Sequence, residues 1–269
     1  MKYNSRDELE LIGKTGAFSY DDHFADGTPF KVSRLISSYW VCTRPIGPDL
    51  AELLMKDGYW ESWITLWISN NIKPGSVCID AGANYGYYTF FLAQHGCRVI
   101  SIEANSELMR FLQRSVELNG CADRVRLLNK AVTDRSWETI YLNVKEDTIG
   151  GSTILQADTG KKLPVETIML NDLLLLEPRI DFLKMDIEGA EEMAWNGIKK
   201  LFQYNRDFVA LIEFSPVCYH NSGRDFFNAL QRDYRVSFID SDGLDKPVND
   251  FSFFEKDLDQ LEMLVIRNR

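Results

Sequence analysis

A chain of 269 residues with 45% hydrophobic content is long enough to bury a full core, as one domain or as one domain with a small appendage. A formal charge of −10 lacks the basic footprint of a nucleic-acid surface, and the Lys-Arg clusters are local, as at Lys161-Lys162 and Lys199-Lys200. No apolar run reaches membrane length and the polar start MKYNSRDELE is unlike a signal peptide, so the expectation is a cytoplasmic protein with no membrane span and no nucleic-acid partner.

Residues 1–25 are polar and read as irregular cover. Phe30-Lys31-Val32 and Tyr39-Trp40-Val41-Cys42 look like short strands, bounded by Gly27-Thr28-Pro29 and Pro45-Ile46-Gly47-Pro48. Residues 50–56 suggest a helical turn that ends at Asp57-Gly58. Trp63, Ile64, Trp67 and Ile68 then recur at helical spacing within 61–70, and Lys73-Pro74-Gly75 stops them. Such a stripe reads as core packing rather than a ligand box.

The next ten residues, Val77-Cys-Ile-Asp-Ala-Gly-Ala-Asn-Tyr-Gly86, carry the most information. An apolar run ends in Asp80, and a loop with small residues at Ala81, Gly82, Ala83 and Gly86 leads into a helical segment. A parallel strand ending in such a turn presents backbone N–H groups and a helix N-terminus at the sheet edge where open α/β folds bind ligands. Small residues let a ligand lie almost on the backbone. The pattern Asp80-x-Gly82-x-Asn84-x-Gly86 is not the G-x-G-x-x-G of a dinucleotide site, and no G-x-x-x-x-G-K-[ST] phosphate loop occurs. An acid at the strand end repels a pyrophosphate but suits a cationic ligand. S-adenosylmethionine, with its ammonium and sulfonium, fits it electrostatically.

Beyond that loop, strand and helix signals alternate. Strands are expected at 77–80, 98–102, 125–128, 181–186, 208–213, 235–239 and 262–266, and helices at 88–95, 106–119, 191–201 and 225–232. Ser106 reads as an N-cap, and Asn119-Gly120 as a helix stop. Residues 137–144 alternate well enough for an extra strand. Cys78 and Cys97 lie in or beside apolar runs and read as buried reduced thiols, since none of the five cysteines forms a C-x-x-C pair. The alternation implies an α/β fold with a mostly parallel sheet and helices on both faces. No strong crossover helix precedes the last strand, which should therefore insert antiparallel.

Acids recur at the strand ends. Glu103 follows the second strand at the distance where α/β nucleoside binders place a ribose-binding carboxylate. Asn129-Lys130-Ala131-Val132 follows the third. In Asp181-Phe-Leu-Lys-Met-Asp186, a lysine and an acid interrupt an apolar run, so Lys184 needs a partner. Lys184, Asp186 and Glu188 share one alternation face, and Gly189 allows the turn that follows. Glu213 ends the next strand, with Tyr219 and His220 on the loop behind it. His23 and His95 have weaker claims to a role.

The stretches VCIDAGANYGYYT (77–89) and DFLKMDIEGAE (181–191), together with Glu103, resemble the FkbM family of S-adenosylmethionine-dependent methyltransferases. DGYWE (57–61), Lys73-Pro74-Gly75, TIMLNDL (167–173) and LIEFSP (211–216) fit the same pattern, so the resemblance spans roughly residues 57–216. It implies a Rossmann-like seven-stranded sheet, the class I methyltransferase fold, and methylation of hydroxyl groups on small molecules or sugars. By the same resemblance, Asp80, Gly82, Asn84, Gly86, Glu103 and Ala104 would hold the cofactor, Asn129, Lys130, Ala131 and Val132 would flank its adenine, and Asp186 and Glu188 would border the transfer site. Candidates for the general base are Glu213, Asp186 and His220. A divalent metal on Asp186, Glu188 and Glu213 is a variant of this mechanism.

Glu103-Ala104-Asn105 stands where the family commonly has Glu-Pro, and TIGGSTI (148–154) matches a family loop only loosely. Residues 1–56 are expected as a cap on the acceptor side of a methyltransferase domain at 57–269. Two rivals stay open: an NAD-dependent oxidoreductase, disfavoured by the glycine register, and an inactive nucleoside-binding module, disfavoured by the intact acids. Sugar, polyketide, lipid head group and peptide acceptors all fit. Tyr39, Trp40, Tyr59, Trp60, Tyr85 and Tyr219 are candidates to stack on one.

Overall fold

The computed structural model describes residues 2–45, 50–145, 151–155, 160–219, 223–255 and 261–269. Its N-terminal part is more regular than its polarity suggests. Helix α1 (Arg6–Gly16) is capped by Ser5, which accepts from the Glu8 N–H at 3.2 Å. Strands β1 (Phe18–His23), β2 (Pro29–Leu35) and β3 (Tyr39–Thr43) form an antiparallel sheet in that order. The expected irregular cover at 1–25 is thus a helix and a strand. Five of the six β1 side chains are exposed and its apolar alternation stops at Phe18 and Tyr20, too short a signal to mark it; its order comes from full pairing with β2 and from those two rings against Trp40. Helices α2 (Leu50–Asp57) and α3 (Ser62–Asn71) come next. Leu9, Phe30, Tyr39 and Leu54 belong to one apolar cluster with Trp67, Tyr87 and Phe91, so the first fifty-six residues share a core with the α/β portion of the chain.

The main sheet is built from β4 (Val77–Ala81), β5 (Arg98–Glu103), β6 (Val125–Asn129), and later strands β10 (Phe182–Met185), β11 (Val209–Phe214), β12 (Arg235–Ile239), β13 (Asp245–Pro247) and β14 (Glu262–Arg267). Its order is β13-β12-β14-β11-β10-β4-β5-β6. There are eight strands rather than seven, because Asp245–Pro247 folds back on β12 as a short antiparallel edge. The β4, β5, β6, β10 and β11 pairings are parallel, and β14 enters antiparallel between β11 and β12, as the missing crossover requires.

Two further differences have local causes. In chain order between β6 and β10, β7 (Ala131–Val132), β8 (Thr139–Val144) and β9 (Lys161–Ile168) form a separate small sheet. β8 is the extra strand expected at 137–144. β9 had no forecast because it opens on two lysines and contains Pro164, normally an edge residue. Pro164 is tolerated because β7 pairs only with Thr167 and Ile168, leaving the proline's other side free of ladder partners. The expected helix at 191–201 is two helices, α6 (Glu191–Trp195) and α7 (Lys199–Tyr204). They part at Gly197, where a Cβ would lie 2.8 Å from both Met169 and the Thr133 carbonyl.

Helices α4 (Tyr87–Gln94), α5 (Met109–Asn119) and α8 (Gly223–Asp233) complete the layers. Ser106 does not cap α5. Asn105 Oδ1 instead accepts from the Glu107 N–H at 3.0 Å, and Gly120 closes the helix in the left-handed region as expected. Along β4, Cys78 packs toward α4 and α5, while Val77, Ile79 and Ala81 pack toward the α6–α8 side. Phe182 and Leu211 share the Cys78 face, so Asp80, Lys184 and Glu213 fall on it too. Cys78 and Cys97 are buried and free. Among the described residues, no helix is long and apolar enough to cross a membrane.

Candidate active site

A cavity of about 600 Å³ opens at the carboxyl end of the parallel strands. The β4–α4 loop forms its floor. The Gly82 and Ala83 N–H groups donate to the Ile102 carbonyl at 2.9 and 3.0 Å, and the Asp186 N–H donates to the Ala81 carbonyl at 3.1 Å. Gly82 is in the left-handed region (φ 79°), and a Cβ there would sit 1.7 Å from the Asp186 carbonyl oxygen. The loop after β4 and the one after β10 therefore touch through a position only glycine can fill. Three of the non-glycine residues with positive φ line this cavity: Glu61 (37°), Asn84 (51°) and Glu188 (58°). Strain of this kind collects at functional sites.

Of the residues expected to hold the cofactor, Gly82, Asn84, Glu103, Ala104, Ala131 and Asp186 line the cavity. Glu103 is nearly buried, and its two oxygens accept from the Asn84 N–H at 2.8 Å and the Asn105 N–H at 2.7 Å. Burial pushes its pKa up, and those backbone donors pull it back. Asn84 Oδ1 is buried without a partner.

Three expected residues do not line the cavity. Asn129 holds the chain after β5, donating from Nδ2 to the Glu103 and Ala104 carbonyls at 2.8 and 3.1 Å. Gly86 is the left-handed residue before α4, packed so closely that a Cβ would lie 2.5 Å from Phe90. Asp80 is 1% exposed and lies beneath the floor, where Thr89 Oγ1 donates to its Oδ2 at 2.5 Å.

Asp186, Glu188 and Glu213 all line the cavity, and Glu191 joins the group. Lys184 is buried and donates to Asp186 at 2.8 Å. Burial alone would lower its pKa, but Asp186, Asp80 and Glu61 outweigh that and hold it above its ordinary value. Asp186, Glu191 and Glu213 each bring a carboxylate oxygen within 4.8 Å of the others and so could hold a metal ion, Glu191 taking the place expected for Glu188. Burial, then the Asp186, Glu191 and Glu188 charges, push Glu213 up to about 10. Glu191 rises to about 8 by burial, although it accepts from the Ile187 N–H at 2.8 Å. Glu188 rises to about 7 by burial and Asp186.

These shifts set a pH dependence of stability. Each acid has a folded pKa above its unfolded one, so the folded chain keeps protons the unfolded chain has released. Their contribution is complete below about pH 4.5 and is lost as pH rises through about 7, 8 and 10. We expect the melting temperature, measured in EDTA, to fall steadily from about pH 6 to about pH 9, since each buried acid protonated only in the folded chain costs up to about 1.4 kcal/mol per pH unit. Glu213→Gln should flatten the fall, and a wild-type curve level across this range would contradict the shared-proton cluster.

His220 lies outside the described residues, so its expected role has no structural counterpart. His23 is exposed on β1, and His95 is buried with Nε2 2.8 Å from the Ile72 carbonyl. Of the aromatic candidates only Trp60 lines the cavity. Tyr39 and Tyr85 are core residues, and Tyr219 donates to the Glu213 carbonyl at 3.1 Å. Sequence reasoning missed Glu61, Tyr87 and Tyr88 in the lining, while Lys130 lines it within the expected 129–132 loop. The DGYWE motif was the available signal for Glu61, and the aromatic pair after Gly86 for the tyrosines.

The Methyltransferase FkbM domain matches residues 80–236, more than half of the chain. No curated protein matches it. Among solved structures, an rRNA methylase from Streptococcus thermophilus is 10% identical, with 77% of this chain and 93% of that one covered and a TM-score of 0.44. An O-methyltransferase from Bacillus cereus, in complex with S-adenosylhomocysteine, is 14% identical over 77% and 80% of the chains, with a TM-score of 0.44. The methyltransferase PaMTH1 from Podospora anserina is 12% identical over 78% and 77%, with a TM-score of 0.46. The extent of the domain match, which takes in both the β4–α4 loop and the Lys184–Glu191 segment, shows that the chain belongs to the FkbM family of S-adenosylmethionine-dependent methyltransferases.

Proposed function

We propose that the protein methylates a hydroxyl oxygen of a small molecule or sugar, with Glu213 as the base. The observation that carries this reading is a partly buried carboxylate facing the cavity with no hydrogen-bond donor to hold it among the described residues. An alcohol is a poor nucleophile, and a base that removes its proton as the new bond forms accelerates the reaction. Asp186 serves less well, because Lys184 holds it as an ion pair.

The residues present fit S-adenosylmethionine. The orphaned Asn84 Oδ1 and the fixed Glu103 carboxylate flank the loop as hydrogen-bond acceptors for a nucleoside. Glu103 would take the ribose hydroxyls, Ala131 with Lys130 and Val132 would flank the adenine, and Gly82 to Asn84 would lie against the remainder. When bound, the cofactor supplies an electrophilic methyl group on sulfur. The chain's part is to align the acceptor oxygen with that methyl, exclude water and receive the hydroxyl proton on Glu213. The acceptor meets an acidic wall of Glu52, Asp186, Glu188 and Glu213, which favours a neutral or cationic molecule over a phosphorylated one.

The test is calorimetry with S-adenosylhomocysteine and with NADH, followed by transfer of labelled methyl to a panel of neutral sugars and amines. Binding of the first ligand, and transfer that survives EDTA, are expected. Binding of NADH alone would sink the reading. Activity lost in EDTA and restored by Mg²⁺ would place a cation on Asp186, Glu191 and Glu213 instead of a free base.

A further inference from the structure

Lys184 is the shared electrostatic partner of three carboxylates: Asp186, Asp80 and Glu61. One buried ammonium cannot balance three acids, Asp80 buried and Asp186 and Glu61 half-buried, and an uncompensated charge in such a place is costly. Two of the three, Asp186 and Glu61, reach the cavity, and Asp186 already holds Lys184. Glu61 is left with neutral donors, the Tyr88 hydroxyl at 2.6 Å and the Trp60 indole.

The backbone around Glu61 makes its direction informative. It occupies the N-cap position of α3, where an acid ordinarily serves the helix's free N–H groups, yet its side chain makes no cap hydrogen bond. Its left-handed conformation (φ 37°) turns the carboxylate to Tyr88, on the first turn of α4 directly after the β4–α4 loop. Tyr88 is itself pinned from the other side, its ring 5.0 Å from the Lys184 ammonium. A carboxylate has about four lone-pair sites, so the one bound by Tyr88 retains capacity for a charged donor.

We propose that Glu61, rather than Asp80, is the carboxylate that binds the α-ammonium of the methyl donor's amino-acid tail. The ligand's positive charge is the second cation this group of acids lacks. Asp80 acts from beneath the floor, fixing Thr89 and lending charge to Lys184 without touching the ligand. The inference rests on the methyltransferase reading and adds to it the residue that recognises the tail.

The test uses three ligands on the full chain: S-adenosylhomocysteine, its desamino analogue with hydrogen in place of the amino group, and 5′-methylthioadenosine, which lacks the tail. Wild type should prefer the first over the second by roughly 10- to 100-fold, the range of a charge-assisted hydrogen bond. Glu61→Gln should erase that preference by weakening the first ligand alone, leaving the other two within about 3-fold, inside the uncertainty of indirect effects. Tyr88→Phe, a milder change that frees the Glu61 carboxylate, should narrow the preference severalfold. Asp80→Asn should leave the preference intact. The proposal is overturned if both Glu61→Gln and Tyr88→Phe keep the wild-type preference, if Glu61→Gln weakens all three ligands equally, or if only Asp80→Asn erases the preference. Wild type binding none of the three would instead remove the donor assignment itself.

Discussion

Substitution of Gly82 by alanine is expected to abolish S-adenosylhomocysteine binding and to lower the melting temperature by roughly 6–12 °C, about 3 kcal/mol for a chain of this size. Two costs add. A left-handed residue with a Cβ is strained by about 1 kcal/mol. The new carbon would also sit 1.7 Å from the Asp186 carbonyl oxygen, so the loops after β4 and β10 must separate. That separation breaks the Asp186 N–H bond to Ala81 and displaces Asp186, Lys184 and Asn84 together. Gly75→Ala is the control. Gly75 has φ 87° and nothing within 4 Å of the place a Cβ would take, so it carries the strain without the collision. It should lose about 1 kcal/mol and bind normally. Gly82→Ala with wild-type affinity would mean the two loops do not form the binding floor.

Glu213→Gln is expected to reduce turnover by about 10²- to 10³-fold, within the range of general-base contributions, while changing S-adenosylhomocysteine affinity less than about 3-fold. The pH profile separates a base from a structural acid. Glu213 stands near 10 without cofactor because burial and three neighbouring acids keep it protonated. A bound sulfonium is a positive charge beside it and brings that value down. Wild-type turnover should therefore rise with pH along one limb, and Glu213→Gln should flatten that limb. A variant that keeps both the rate and the limb would move the base elsewhere, with His220 next to be replaced.

Much of the fold was legible because its signals are local. The apolar runs ending in Asp80, Glu103 and Glu213 are strands that must stop where an acid meets the sheet edge, and they lie at one edge as a parallel sheet requires. What escaped has physical reasons. β1 is ordered by backbone pairing and by only two rings, Phe18 and Tyr20, against Trp40, and Pro164 disguised β9. The short β13 edge carries little apolar pattern of its own.

The site divides along the same line. Sequence alone determined that acids, glycines and one buried lysine would gather at the carboxyl edge, because strand periodicity and turn chemistry act between near neighbours. Tertiary structure decided which of them reach the cavity. The alternation that sends Asp80 toward α4 also buries it under Thr89, while a left-handed turn 19 residues earlier brings Glu61 to the wall. Likewise, Glu191 joins Asp186 and Glu213 only because α6 starts beside the end of β11. Such meetings depend on how separate elements pack, and no spacing along the chain encodes the distance between them.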